Sequence, residues 1–256
     1  MILLTALPRT GKSTAIQKII QMLGKRNCGG FYTEEIRENG ERVGFRIKTL
    51  SGKEGLLSHV NIESEYRISR YGVDLDTFER ICLEELKNAL AGDSIKYIII
   101  DEIGPMQLFS EEYKKLLIEL LKSKKQVIGT IFMNPYEWLD DFKKQDGIEL
   151  IEITFDNRDE LPLQIVDKVT KNDEPMQRKV DKAKRYSTEM ERFIPFDDRI
   201  EIHSEHGTRT IRIINGDYTC DCDFYQENGT CSHIMAAINS NISHLSNTKQ
   251  KVQKLS

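Results

Sequence analysis

The chain predicts an α/β fold, a mostly parallel sheet covered by helices on both faces, followed by a small module built on a different pattern. Three observations carry that expectation. Strand-like and helix-like segments alternate through residues 1–170. The first junction reads "TALPRTGKST", an apolar strand running into Gly-Lys-Ser and then into a helical pattern. Near the far end, three cysteines and a histidine crowd into "CDCDFYQENGTCSH".

The elements follow in order. "MILLTA" is a short apolar run suited to a buried strand. "KSTAIQKIIQML" has apolar residues at 15, 16, 19, 20, 22 and 23, one stripe at helical period, and Gly24 is its stop. "GGFYTEEIRENGERVGFRIKTL" predicts a hairpin turning at Asn39-Gly40. "DTFERICLEELKNALAG" is helical, with Phe78, Ile81, Cys82, Leu86, Ala89 and Leu90 on one face. "KYIIID" predicts a buried strand, "SEEYKKLLIELLKS" a helix from Ser110, and "KQVIGTIF" another strand. "NPYEWLDDFKK" predicts a helix with Asn134 as cap and Pro135 at its first position. "IELIEITF" and "RDELPLQIVDKV" supply a last strand and helix, closing a first domain at 1–170.

Residues 171–185 are polar and basic and predict a linker or an exposed helix. From Tyr186 the pattern changes: "RIEIHSEHGTRTIRIING" predicts two strands around a glycine turn, and the cysteine cluster completes a module at 186–242. The tail, 243–256, is polar and is expected to fray.

Composition narrows the function classes. With 39% hydrophobic and 30% charged residues the mixture is that of a soluble globular protein. No apolar run approaches the ~20 residues of a membrane span, and "MILLTALPRTGK" lacks the basic start of a signal peptide. A cytoplasmic protein is expected. A net charge of −4 gives no global pull toward nucleic acid or anionic lipid.

A loop that wraps phosphate needs a strand, a turn exposing backbone N–H groups, and a helix whose positive end faces the anion. Residues 1–23 supply that order. The loop predicted to bind nucleotide comprises Ala6, Leu7, Pro8, Arg9, Thr10, Gly11, Lys12, Ser13 and Thr14. Gly11 allows close approach, Lys12 reaches the outer phosphates, and Ser13 offers a hydroxyl to Mg²⁺. The usual signature opens with glycine, and here that place is Ala6, tolerable where its φ is not positive. "YIIIDEIGPM" completes the pattern: Asp101 at a strand end is placed to hold Mg²⁺ through water, and Glu102 to orient or deprotonate the attacking water.

These segments, with "GGFYTEEIRENGERVGFRI", "RYGVD" and "ELIEITFDNRDELP", resemble the small nucleoside-triphosphatase family of the THEP type over residues 1–165. The resemblance implies a P-loop fold and Mg²⁺-dependent hydrolysis of several nucleoside triphosphates to diphosphates. The family loop reads G-P-P-G-x-G-K-T-T, so Ala6 and Arg9 both replace glycines, and Phe132 stands where the family often has histidine. Glu34 and Glu35 lie where substrate contacts are often placed, or on a solvated strand face. Arg70 and Arg158 are either phosphate contacts or surface ion pairs.

In the module, Cys220, Cys222, Cys231 and His233 form C-x-C, eight residues, C-x-H, a donor set for tetrahedral Zn²⁺. Cys220 and Cys222 are expected on one strand, pointing the same way, and "CSHIMAAIN" on a helix aiming His233 inward. The pattern resembles the SWIM zinc finger over residues 190–240. Asp217, Asp221, Asp223 and Glu227 near the ligands repel phosphate, so the module is expected to bind protein, with weak nucleic-acid binding led by the basic segment 178–185. A hydrolase with an appended zinc module is the leading reading. The alternatives are a nucleoside or polynucleotide kinase and a nucleotide-gated binding protein with little turnover.

Overall fold

A computed structural model of the chain describes residues 1–242; the tail expected to fray lies outside the described residues. The chain forms two compact units, one of residues 1–16 and 27–154, the other of residues 17–26 and 155 onward.

The first unit is a nine-stranded sheet. Its strands are β1 (Ile2–Thr5), β2 (Cys28–Glu38), β3 (Glu41–Thr49), β4 (Glu54–His59), β5 (Arg67–Ile68), β6 (Tyr71–Val73), β7 (Tyr97–Ile103), β8 (Gln126–Ile131) and β9 (Glu149–Glu152). They lie in the order β5-β6-β4-β3-β2-β7-β8-β1-β9. From β2 to β9 every pairing is parallel, whereas β2 to β5 form an antiparallel flank. The parallel half is the expected sheet. Of the flank, the sequence exposed only the β2–β3 hairpin, which turns at Asn39 and Gly40 with φ of 50° and 84°. β5 and β6 are two and three residues long, too short to show a period.

Two lengths of β7 explain its role. Residues 97–100 are fully enclosed, as a strand covered on both faces must be. The register with β8 then breaks between Ile100 and Ile103, and Asp101 and Glu102 fall in that break. Helices of this unit include α2 (Leu75–Phe78), α3 (Glu84–Ala91), α4 (Glu111–Lys122) and α5 (Glu137–Lys143). A π-helical turn at Glu79–Leu83 joins α2 to α3, so the single predicted helix is one winding path with Phe78, Ile81, Cys82, Leu86 and Ala89 buried. Ser110 caps α4 as expected, accepting from the Tyr113 N–H at 3.0 Å. α5 departs from expectation. It starts at Glu137 rather than Pro135, because the Asp140 carboxylate accepts the Tyr136 N–H at 3.1 Å and fixes the cap there.

α1 (Lys12–Leu23) opens at the phosphate loop, and the division between the units falls within it, after Ile16. The second unit adds α6 (Leu161–Val169), α7 (Glu174–Thr188), an antiparallel sheet of β10 (Phe193–Pro195), β11 (Ile200–Ser204), β12 (Gly207–Ile214) and β13 (Asp217–Cys220), then α8 (Asp223–Asn228) and α9 (Ser232–Asn239). The segment 171–185 is mostly helix: α7 runs from an Asp173 cap and buries Met176, Val180, Ala183 and Tyr186. Its buried positions recur at intervals of three and four among ten polar or charged neighbours, a stripe too thin to show above the composition. Among the described residues no helix is long and apolar enough to cross a membrane.

Candidate functional site

The loop between β1 and α1 is built by its own hydrogen bonds. Thr10, buried, donates from Oγ1 to the Leu7 carbonyl at 2.8 Å and from its N–H to the same oxygen at 3.3 Å. Leu7, Pro8 and Arg9 stay exposed at the rim. Gly11 has φ 111°, which a side chain would make strained, and the helix begins as Ala15 N–H reaches the Gly11 carbonyl at 2.9 Å. The first turn of α1 carries no acidic residue of its own, which suits its free N–H groups to an anion. Ala6 is buried and is not among the residues of positive φ, which is why its methyl is accepted. Arg9 has φ 67°, left-handed, at the place where the family pattern has glycine.

The charged groups come from three elements. Lys12, first in α1, donates from Nζ to Glu102 Oε1 at 2.9 Å. Asp101, buried beside Glu102 on β7, accepts from Thr130 Oγ1 on β8, and the Ser13 hydroxyl also bonds it. β8 lies between β7 and β1, so Thr130 stands between the carboxylate strand and the loop strand, in register with Leu4. Burial pushes the Asp101 carboxyl up to about 6, opposed by the hydrogen bond from Thr130 and raised further by the charge of Glu102. The sequence reading missed Thr130. Its signal is a lone hydroxyl in the otherwise apolar "QVIGTI".

The weaker candidates have partners of their own. Glu34 pairs with Lys48 at 3.0 Å, and Glu35 is gripped by Arg37 and Arg42 on the same hairpin. Those cations hold the Glu35 carboxyl below its ordinary range in spite of its partial burial. Arg70 donates to the Arg42 carbonyl and lies 3.9 Å from Glu41. Arg158, in the second unit, sits over the Phe155 ring at 5.1 Å and 3.9 Å from Asp159. Phe132 packs against the core of the first unit.

In the second unit Cys220, Cys222, Cys231 and His233 are all buried, and their four donor atoms lie within 4.8 Å of one another. Tetrahedral Zn²⁺ with Zn–S near 2.3 Å needs donors roughly 3.8 Å apart, so the group suits that ion. His233 Nε2 is buried without a hydrogen-bond partner, while Nδ1 lies 3.7 Å from Cys220 Sγ. A buried imidazole whose Nδ1 meets a thiol, gathered with two more thiols, is a metal donor set. Hydrogen bonds from Cys220 and Cys231 pull the Cys222 thiol below its ordinary value, and the same contacts with burial push those two thiols up, so the three share their protons. One expectation changes. β13 ends at Cys220, and Cys222 caps α8 instead of continuing the strand, because Asp221 turns back to accept the Thr210 N–H at 3.1 Å. His233 rides on α9 as expected.

Comparison with known proteins finds relatives for both parts of the chain. The NTPase family model matches residues 1–166, and the SWIM zinc finger model matches residues 210–242. Nucleoside-triphosphatase THEP1 of Thermotoga petrophila is 40% identical over 165 residues, covering 64% of this chain and 90% of that protein. The human cancer-related nucleoside-triphosphatase is 35% identical over 178 residues, 64% of this chain and 94% of its own. The crystal structure of THEP1 from Aquifex aeolicus superposes with a TM-score of 0.60 at 35% identity, covering 66% of this chain and 99% of that one. The fold and loop define a P-loop nucleotide enzyme carrying a C-terminal Cys/His cluster. Within that class, the chain belongs to the NTPase family of THEP1-type nucleoside-triphosphatases.

Proposed function

We propose that the chain hydrolyses nucleoside 5′-triphosphates to diphosphate and phosphate in a Mg²⁺-dependent reaction, with Ala6 to Thr14 cradling the phosphates. The observation that supports this most is the meeting of Lys12 and Glu102 at 2.9 Å, with Ser13 and Asp101 beside them. Lys12 neutralises Glu102 at 2.9 Å. Triphosphate offers Lys12 a denser negative charge, and Glu102 is then free to take the proton of an attacking water. Ser13 and Asp101 are the residues that would hold Mg²⁺, which supplies charge neutralisation on the phosphates when bound. Thr130 holds the Asp101 Oδ1 oxygen from β8, which fixes the carboxylate beside Ser13.

The zinc module has four protein donors and no open position, so its role is structural. Weak nucleic-acid binding is consistent with the pairing of its basic segment. Lys182 and Arg185 hold Glu205, and Lys184 holds Asp167 at 2.7 Å. Cations already neutralised attract phosphate poorly.

Phosphate release from purified protein, Mg²⁺ and each triphosphate, without acceptor, tests the reading. Free phosphate supports hydrolysis. Phosphate appearing only on an added nucleoside or nucleic-acid end makes the chain a kinase, and tight binding with negligible turnover makes it a nucleotide-gated binding protein.

A further inference from the structure

The polar face of α1 beyond the phosphate loop is where the zinc module docks. Its contacts fall at 18, 21, 22 and, just past its end, 26, one face at helical spacing. Gln21 donates from Nε2 to Asp217 at 2.6 Å and accepts the Tyr218 N–H at 3.2 Å. The Met22 carbonyl accepts from Thr230 Oγ1 at 2.7 Å. Lys18 donates to Asn241 at 2.8 Å. Arg26 donates to the Gln226 carbonyl at 3.0 Å and, at 3.4 Å, to that of Tyr225.

Two of these contacts are reciprocal helix caps. Met22 carries one of the last four carbonyls of α1, which have no partner within the helix, and the buried Thr230 supplies one. Arg26 does the same for the carbonyls ending α8. Gly229 ends α8 with φ 68°, and a Cβ there would lie 2.8 Å from Arg26 Nε, so glycine serves both the turn and the approach.

Several contact residues of the module lie close to a metal donor in the chain. Tyr218 is two residues before Cys220, and Thr230 immediately precedes Cys231. Gln226 also donates from Nε2 to the Cys220 carbonyl at 3.1 Å. The donors that gather on zinc therefore gather the groups that hold α1.

We propose that the zinc module is a clamp on the phosphate-loop helix, so that zinc occupancy and triphosphate binding are linked. This rests on the phosphate-loop reading above. α1 is one helix from Lys12 to Leu23, so a single run of backbone joins the end of the phosphate loop to the residues that the module holds. Coupling between two sites is reciprocal: zinc strengthens triphosphate binding by the same factor as triphosphate strengthens zinc binding.

The test uses the full chain in zinc-loaded form, zinc-free form, and as Gln21→Ala/Thr230→Val, which keeps all four metal donors. Affinity for a fluorescent triphosphate analogue is measured without Mg²⁺, with hydrogen exchange at residues 17–26 and zinc transfer to a colorimetric chelator. Zinc removal and the double substitution should each weaken analogue binding about 5-fold or more. They should also speed exchange at 17–26, and the analogue should slow zinc transfer from the parent. Analogue affinity indifferent to zinc, with Lys12→Ala still abolishing it, overturns the linkage alone. A zinc-loaded parent that binds no analogue overturns the phosphate-loop reading and the linkage together.

Discussion

The phosphate site and the cysteine cluster differ in how their polar groups are paired within the protein. In the first, the central charges have protein partners: Lys12 with Glu102, and Asp101 with Thr130 and Ser13. In the second, three thiols crowd one another and His233 Nε2 has no partner. A site whose charges pair within the protein exchanges protein contacts for ligand contacts and leaves the fold standing. A site of unsatisfied buried donors needs its ligand to fold.

The largest predicted effect follows directly. Structural zinc contributes apparent binding free energy of about 10–16 kcal/mol in small modules. Cys222→Ser should therefore lose zinc and melt β10–β13, α8 and α9, while the nine-stranded sheet survives. Metal analysis with hydrogen exchange checks this. A zinc-free chain whose β10–β13 amides stay fully protected counts against the comparison.

A smaller effect sharpens the phosphate side, where satisfaction is incomplete. The Asp101 carboxyl titrates at about 6 in the fold against an ordinary 3.8. The empty folded form thus holds the proton more tightly than the unfolded chain. Stability from this group is full below about pH 4 and is lost as pH rises through about 6. Asp101→Asn should gain on the parent by up to about 3 kcal/mol across that window, in metal-free melts. A gap that does not change with pH contradicts the buried carboxylate.

The smallest concerns the loop. Arg9 occupies a left-handed position, costing about 1–2 kcal/mol for a non-glycine residue. Arg9→Gly should raise the melting temperature by a few degrees. If the guanidinium is used on phosphate, triphosphate affinity falls as stability rises, and calorimetry with a binding titration separates the two.

The same contrast governs what the sequence made legible. The zinc donors lie within fourteen residues, and the loop within nine, so local spacing exposed both. Asp101-Glu102 was readable because a carboxylate pair ending an apolar strand is chemically conspicuous. Thr130 was not, since its partner is set by strand order, which no local pattern encodes. The polar face of α1 was equally silent. Lys18, Gln21 and Arg26 look like solvated residues until the chain returns some two hundred positions later. The thin stripe of α7 and the two- and three-residue strands β5 and β6 fell below the lengths at which periodicity speaks.

Turnover of Glu102→Gln, measured beside its triphosphate affinity, tests the central account most directly, because Glu102 is assigned both to hold Lys12 in the empty site and to serve as base in the filled one. The variant should bind triphosphate at least as tightly as the parent, its lysine no longer engaged by a carboxylate. It should release phosphate roughly 10²–10⁴-fold more slowly, the usual worth of a positioned base. Unchanged turnover, or affinity lost together with turnover as in Lys12→Ala, would contradict it.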